Sequence, residues 1–234
     1  MRKGSDLRKM MAAVALVALC VGLGGCKGEA PQEAASSAPV AATQQAPVSG
    51  PERHIVALGD SLLAGYGLRP EQAYPPRLEA ALRAAGVNAF VVNAGVSGDT
   101  TADGLARIDF TLGNAAPDLV LVSLGGNDML RGLSPAQTRA NLDAILTKLE
   151  TRHVKVVLLG MMAAPNMGAD YARAFDAIYP ALAKKHHAAL VPFFMAPING
   201  KPGMQLPDHI HPTPQGVEAM VKDTIGTVKG ALPK

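Results

Sequence analysis

The stretch His54-Ile55-Val56-Ala57-Leu58-Gly59-Asp60-Ser61-Leu62 decides how this chain folds. Residues 54–58 form a short, mostly apolar run, which is typical of a strand buried in a parallel sheet. A serine directly behind such a strand lies at the rim of the sheet, where its hydroxyl can meet a ligand. Ser61 is therefore a candidate nucleophile, although the same position also suits a helix N-cap or a turn.

Runs like the first recur along the chain and alternate with segments of helical periodicity. The strands are predicted at 54–58, 87–92, 118–123, 154–159 and 189–193. The helices are predicted at 73–85, 99–109, 134–150, 171–187 and 213–229. Such alternation predicts one domain with a three-layer α/β/α sandwich, in which helices cover both faces of a five-stranded, mainly parallel sheet.

Two of the helices carry clear start signals. Ser134 is predicted to cap the helix at 134–150, with Gln137 completing a capping box. Thr213 is predicted to cap the last helix, and Pro214 suits its first position.

Polar and glycine-rich segments follow four of the strands. They are Gly59-Asp60-Ser61, the segment 93–99, Gly125-Gly126-Asn127-Asp128 and Asp208-His209-Ile210-His211. Ligands of open parallel sheets bind beyond the carboxyl ends of the strands. These four segments therefore predict a site at one edge of the sheet.

A serine nucleophile needs a base, and histidine suits this role near neutral pH. We assign His54 to the far end of the first strand. His153, His186 and His187 are predicted to be solvated helix ends.

His211 is then the best candidate base, because it stands at the entrance of the last helix. Asp208, three residues earlier, can reach its ring through a tight turn and hold one tautomer. The alternative is that Asp208 only forms a turn, while His209 or His211 packs against the domain.

An oxyanion formed at the site needs hydrogen-bond donors. The candidates are the N–H of Ser61, the N–H of Gly95, which has no side chain to obstruct a substrate, and the side-chain amide of Asn127. Gly95 and Asn127 also have an ordinary explanation as turn residues.

The four segments, in this order, resemble the four blocks of the SGNH (GDSL) hydrolase superfamily. Further stretches are similar to its bacterial thioesterase I, lysophospholipase and arylesterase branch, and the resemblance covers about residues 54–228. These stretches are Gly59–Gly67, Ser97-Gly98-Asp99-Thr100-Thr101, Leu124–Gly132 and Pro192-Phe193-Phe194-Met195.

The resemblance implies a flavodoxin-like SGNH-hydrolase fold and a serine esterase that acts on carboxylic esters or thioesters. Ser61 would form the acyl-enzyme, Asp208 and His211 would complete the triad, and Gly95 and Asn127 would serve with Ser61 as oxyanion donors. Neither a cofactor nor a metal is implied, and no group of His, Cys and carboxylate residues has metal-ligand spacing.

Apolar residues follow the Asn127 turn and the fourth strand, so both loops are predicted to border the site. Met129, Leu130, Met162 and Pro165 are the candidate pocket residues, suited to an acyl or aryl group. The alternative is that the methionines after the fourth strand are core residues.

Three other functions compete with an esterase. A carbohydrate O-deacetylase of the same superfamily is disfavoured, because the chain has no Trp and only four Tyr to stack on sugars. A non-catalytic lipoprotein that binds a lipid or a partner is disfavoured, because no catalytic position has been lost. A nucleotide-binding domain is disfavoured, because there is no P-loop and no third glycine after Gly65 and Gly67.

The amino-terminal region is typical of an exported lipoprotein. Residues 1–25 resemble a signal peptide, with a basic start and a short apolar run. Leu23-Gly24-Gly25-Cys26 resembles a lipobox, which implies lipidation of Cys26. Residues 26–52 are rich in Ala, Pro, Ser and Gln and are predicted to be a disordered tether to a hydrolase domain at 53–234. The residue after Cys26 is Lys27 and not an aspartate, which by resemblance to lipoprotein sorting in Gram-negative bacteria implies the outer membrane, with the domain facing the periplasm.

Composition limits the partners further. The formal charge of +3 comes from the predicted signal, and the rest of the chain has 18 basic and 18 acidic residues. This neutral balance gives no support for nucleic-acid binding. We predict a monomer whose partners are a small ester or thioester and, through the lipid, a membrane. Cys20 lies within the predicted signal, so no disulfide is expected in the domain.

Overall fold

The computed structural model describes residues 48–234. Its strands are β1 (Arg53–Gly59), β2 (Ala89–Gly95), β3 (Leu119–Ser123), β4 (Lys155–Leu159) and β5 (Ala189–Val191). They form one sheet in the order β2-β1-β3-β4-β5, and every neighbouring pair is parallel. The predicted five-stranded sheet is confirmed, with the strand order of flavodoxin-like folds.

Helices cover both faces of this sheet. They are α1 (Ser61–Ala64), α2 (Tyr74–Ala84), α3 (Thr101–Leu112), α4 (Gly126–Leu130), α5 (Pro135–Thr151), α6 (Ala169–Asp176), α7 (Ile178–Lys185) and α8 (Pro214–Ala231). Helix α2 packs with α8, and α3 packs with α5. Because crossovers between parallel strands are almost always right-handed, this strand order places the two pairs on opposite faces of the sheet, and the three-layer sandwich is confirmed.

The sheet supplies the centre of the core. All five residues of β3 are buried, as are Ile55, Leu58 and Val157 on the neighbouring strands. Strand β2 lies at the edge, and its Phe90 and Val92 side chains are exposed. The continuous apolar runs in the sequence therefore mark the inner strands, as expected for a sheet covered on both faces.

The helix predicted at 171–187 is wrong as a single element, because it is broken at Ala177 into α6 and α7. Pro180 has no N–H to donate to the carbonyl of Asp176, so the ladder of backbone hydrogen bonds is interrupted there. The Asp176 side chain instead accepts the Ala163 N–H at 2.7 Å, which ties this break to the loop after β4.

The two predicted helix caps had different outcomes. The Thr213 cap is confirmed, since Thr213 Oγ1 accepts the Gly216 N–H at 3.2 Å and Pro214 is the first helical residue. Ser134 is the N-cap residue of α5 as predicted, but the side-chain capping is wrong: its hydroxyl makes no capping bond, and its backbone carbonyl accepts the N–H groups of Gln137 and Thr138.

His186 also differs from its prediction as a solvated helix end. Its side chain is only 5% exposed and joins α5 to the end of α7. Nε2 lies 2.6 Å from Asp143 Oδ1, and Nδ1 lies 2.9 Å from Glu150 Oε2. Two carboxylates of α5, which are distant from His186 in the sequence, therefore hold the ring and remove it from solvent.

The register of the sheet brings the polar loops together. Gly59 at the end of β1 pairs with Gly95 on one side and with Ser123 on the other. The segments after these three strands therefore start at the same edge. Within residues 48–234 no helix is long and apolar enough to cross a bilayer. The signal predicted at 1–25, Cys26 and most of the tether lie outside the described residues.

Candidate active site

Ser61 lies where β1 turns directly into α1. Asp60 is the N-cap of this four-residue helix, and its Oδ1 accepts the Leu62 N–H at 3.0 Å. A side chain at Gly59 would meet Leu63 and the Ser123 carbonyl at 2.7 Å, so the turn needs glycine there. Asp60, rather than Ser61, is the cap, which leaves the serine hydroxyl free to point out of the sheet edge.

The Ser61 hydroxyl meets the ring of His211, 150 residues further along the chain. Ser61 Oγ lies 2.8 Å from His211 Nε2, and His211 Nδ1 lies 2.7 Å from Asp208 Oδ2. The other oxygen of Asp208 accepts the backbone N–H groups of Ile210 at 2.9 Å and His211 at 3.0 Å. The structure thus brings together the three residues that the sequence predicted, in a nucleophile, base and orienting-acid arrangement.

The electrostatics of Asp208 select one tautomer of His211. Partial burial raises the pKa of Asp208, but the hydrogen bonds from the His211 ring and from the two backbone N–H groups outweigh it and lower the pKa to about 2. An ionised carboxylate can only accept hydrogen bonds, so Nδ1 of His211 carries the proton that it donates. Nε2 is then the acceptor that faces the Ser61 hydroxyl.

Tyr66 supports the same imidazole from its face. The two rings are tilted by 34°, and their centroids are 4.4 Å apart. Sequence reasoning missed this contact, because Tyr66 and His211 lie on different loops and no local pattern relates them.

The structure contradicts the prediction that Gly95 is an oxyanion donor. Gly95 does not line the cavity beside Ser61, and its N–H donates to Asn93 Oδ1 at 2.9 Å. A side chain at Gly95 would approach the backbone nitrogen of Ala64 to 2.3 Å. This glycine is therefore required by the close packing of β2 against α1.

Gly98 and Asn127 do line the cavity together with Ser61. Within the described residues the N–H of Gly98 donates to no other protein group. One N–H of the Asn127 amide donates to the Asp99 carbonyl at 2.9 Å, which leaves its second N–H available. The motif Ser97-Gly98-Asp99 is the sequence signal that points to Gly98.

Two buried carboxylates lie beneath the site. Asp128 holds its turn to two helices, because it accepts hydrogen bonds from the backbone and hydroxyl of Thr101 and from the hydroxyl of Thr138. Burial, together with the nearby carboxylates Asp99 and Asp128, raises the pKa of Asp60 to about 7, although the Leu62 N–H opposes this shift. Both residues therefore build the turns around the reacting groups.

A cavity of about 720 Å³ opens beside Ser61 and His211. All four predicted pocket residues line it, namely Met129, Leu130, Met162 and Pro165, together with Met161, Phe193 and Met195. Met161 is buried, whereas Leu130 and Met162 are exposed at the mouth. Met129 Sδ accepts the Ala164 N–H at 3.0 Å and so joins α4 to the loop after β4. In residues 48–234 there is no cluster of His, Cys, Asp and Glu that could hold a metal ion.

Comparison with known proteins identifies the family to which this chain belongs. The sequence profile of the GDSL-like Lipase/Acylhydrolase family matches residues 57–219. The chain belongs to this family. The profile spans the segments that carry Ser61, Gly98, Asn127, Asp208 and His211.

Named relatives are esterases and thioesterases. The chain is 40% identical to Esterase TesA of Pseudomonas aeruginosa over 178 residues, which is 76% of this chain and 89% of the relative. It is 42% identical to Thioesterase 1/protease 1/lysophospholipase L1 of Escherichia coli K12 over 158 residues, or 68% and 74% of the two chains. The crystal structure of AlinE4, an SGNH-hydrolase family esterase, shares 53% identity with a TM-score of 0.67 and covers 80% of this chain and all of its own.

These matches confirm the predicted superfamily and its fold. This GDSL-family protein is a serine hydrolase of the esterase type, with a parallel α/β sandwich.

Proposed function

We propose that Ser61 hydrolyses carboxylic esters or thioesters through an acyl-enzyme, with His211 as its base and Asp208 as the orienting acid. The observation that carries this proposal is the continuous hydrogen-bonded line from Asp208 Oδ2 through His211 to Ser61 Oγ, with distances of 2.7 and 2.8 Å. The line ends at the wall of the cavity, where a substrate carbonyl can approach the hydroxyl.

The reaction follows from these positions. His211 Nε2 takes the proton of Ser61 as Oγ attacks the carbonyl carbon, and Asp208 stabilises the imidazolium that forms. His211 then gives the proton to the departing alcohol or thiol. A water molecule enters, loses a proton to His211 and releases the acid, which restores the free hydroxyl.

Three donors surround the position of the oxyanion in this scheme. They are the N–H of Ser61 at the start of α1, the N–H of Gly98 and the second N–H of Asn127. Gly98 replaces Gly95 in this role, since it lines the cavity and its N–H is not used elsewhere among the described residues. Loss of one such donor typically lowers turnover by about 10²–10³-fold.

The cavity favours an extended apolar acyl group as the substrate. Its volume of about 720 Å³ and its wall of methionine, leucine and proline side chains suit a flexible chain. The Escherichia coli relative is named a thioesterase and a lysophospholipase. We infer that acyl thioesters and lysophospholipids are substrate classes for this chain as well, with aryl esters as convenient probes.

The Ser61→Ala variant tests the chemistry. We expect it to lose hydrolysis of p-nitrophenyl butyrate while its thermal unfolding matches the parent protein. Retained turnover by the folded variant would reject Ser61 as the nucleophile. A series of p-nitrophenyl esters tests the cavity, and a preference for acetyl over all longer acyl groups would instead favour an O-deacetylase.

We also propose that residues 1–25 are removed and that a lipid on Cys26 holds the domain at the outer membrane, facing the periplasm. The tether at 26–52 would allow the domain to reach some tens of Å from the bilayer. Mass spectrometry of the membrane-extracted protein is expected to show an acylated Cys26. A Cys26→Ser variant should leave the membrane fraction, and unchanged fractionation would contradict the anchor.

We expect a monomer in detergent by light scattering.

A further inference from the structure

Arg107 on α3 lies behind the catalytic groups, outside the cavity lining. Its side chain is 21% exposed and its guanidinium has three partners. Nε donates to Asp99 Oδ2 at 2.6 Å, and Nη2 donates to the backbone carbonyl of Gly59 at 2.9 Å. Nη1 donates to Thr111 Oγ1 at 3.3 Å, which fixes the side chain along its own helix.

The two main partners belong to the two halves of the proposed site. Gly59 is the last residue of β1 and precedes Ser61 by two positions. Asp99 follows Gly98 directly, and its backbone carbonyl holds the Asn127 amide at 2.9 Å. One guanidinium therefore connects the strand that leads into the nucleophile to the turn that carries Gly98 and holds the Asn127 amide.

Backbone hydrogen bonds also join this turn to β1. The Gly59 carbonyl also accepts the Val96 N–H at 2.9 Å, and the Val96 carbonyl accepts the Asp99 N–H at 3.1 Å. Arg131 Nη2 donates to the Gly98 carbonyl at 2.7 Å, but from the exposed side of the turn. Arg107 is thus the charged group that links the 96–99 turn directly to β1.

We propose that Arg107 is a positioning residue that holds the Gly98 and Asn127 donors at the correct distance from Ser61 Oγ. This inference rests on the proposed function. Arginine suits the role because its planar guanidinium presents several donors in a fixed geometry to a carboxylate and a carbonyl. A lysine ammonium in the same place can keep the charge beside Asp99 but cannot reproduce that planar arrangement.

Arg107→Ala and Arg107→Lys test the role, with Arg152→Ala as a matched control. Arg152 makes the same kind of contacts away from the site, with Asp109 Oδ1 at 3.2 Å and the Gly113 carbonyl at 3.0 Å. Because small misplacements of catalytic groups cost up to about 10²-fold, we expect kcat of Arg107→Ala to fall about 10- to 100-fold. KM should stay within about twofold of the parent value, because Arg107 does not contact the substrate.

Two further readouts separate positioning from a general loss of structure. Inactivation by a p-nitrophenyl phosphonate places negative oxygen in the oxyanion position, so its rate should fall in parallel with kcat. Added guanidinium ion should restore part of the activity of Arg107→Ala, and should not raise that of Arg152→Ala. Arg107→Lys is expected to lie between Arg107→Ala and the parent.

The proposal is overturned if folded Arg107→Ala keeps kcat within about twofold of the parent. It is also overturned if the loss of kcat is fully accounted for by the fraction of the variant that is unfolded. Should Arg107→Ala fail to fold, Arg107→Lys decides, and full kcat in that variant contradicts the role. Ser61→Ala in the same assay separates the two claims. Hydrolysis by Ser61→Ala rejects the proposed function, whereas an inactive Ser61→Ala beside a fully active Arg107→Ala rejects only the role of Arg107.

Discussion

At the scale of single residues, the two carboxylate oxygens of Asp208 have different functions. Oδ1 accepts hydrogen bonds from the N–H groups of Ile210 and His211 and so shapes the turn, while Oδ2 accepts a hydrogen bond from the Nδ1–H of His211. His209 lies inside this turn with φ of 58°, a left-handed conformation that is unusual for a residue with a side chain. The turn and the tautomer of the base therefore depend on the same side chain.

Asp208→Asn tests this dual role. The amide oxygen can still accept the two backbone N–H groups, but the amide NH₂ can then face Nδ1 and favour the wrong tautomer. We expect kcat/KM for an aryl ester to fall by about 10³–10⁴-fold while thermal unfolding shows that the variant is still folded. Asp170→Asn, at an exposed carboxylate, is the control. A loss of less than about tenfold would show that Asp208 does not select the tautomer.

Asp208 does not account for acid inactivation in the usual pH range. Because its pKa in the folded protein is about 2, the carboxylate stays ionised when the pH falls from 7 to 4. An acid limb of the activity profile in that range must come from another group.

At the scale of elements, the end of β2 and the first turn of α1 pack backbone to backbone. The position of Gly95 leaves no room for a β-carbon, which would lie 2.3 Å from Ala64 N and 2.8 Å from Ala64 Cα. This contact holds α1 against the edge strand and so supports the orientation of Ser61 at its first position.

Gly95→Ala is therefore a stability variant. Since backbone atoms cannot move aside as a side chain can, we expect the free energy of unfolding to fall by about 2 kcal/mol or more. Gly226→Ala in α8 is the matched control, because nothing lies within 4 Å of its added β-carbon. That change should stabilise the protein by about 0.5–1 kcal/mol. Urea denaturation of both variants measures the difference, and equal stabilities would contradict the packing role of Gly95.

At the scale of the whole molecule, two carboxylates give opposite contributions to the pH dependence of stability. Asp60 has its folded pKa raised to about 7, so folding favours its protonated form. Its contribution is most favourable below pH 4 and is lost as the pH rises through 7. Asp208 has its folded pKa lowered to about 2, so its contribution is present above pH 4 and is lost as the pH falls towards 2.

Asp60→Asn isolates the first contribution. We expect the variant to gain stability relative to the parent as the pH rises from 4 to 8. This pH-dependent gain corresponds to about 4 kcal/mol at most. The cost of placing an amide NH₂ in the same buried position lowers the stability of the variant equally at every pH. Urea denaturation at intervals between pH 4 and 8 measures this change. Parallel stability curves would contradict a raised pKa of Asp60.

Much of this fold could be predicted because its signals are local. Apolar runs such as that of β3 mark buried strands, and Thr213 with Pro214 marks the start of α8. The break at Ala177 was missed even though Pro180 is a local signal, because the apolar periodicity continues through it. The start of α5 at Ser134 and Pro135 was predicted, but the orientation of the Ser134 hydroxyl was not, and this side chain makes no capping bond.

The sequence by itself determined the alternation of strands and helices, the sheet edge at which the polar loops gather, and the local turn that joins Asp208 to His211. These depend on near neighbours and on strand ends. Only the tertiary structure decided that Gly98 rather than Gly95 faces the cavity, and that Arg107 connects β1 to the oxyanion turn. The direction of a backbone N–H and the partners of a long side chain depend on the register of the sheet and on packing between distant segments.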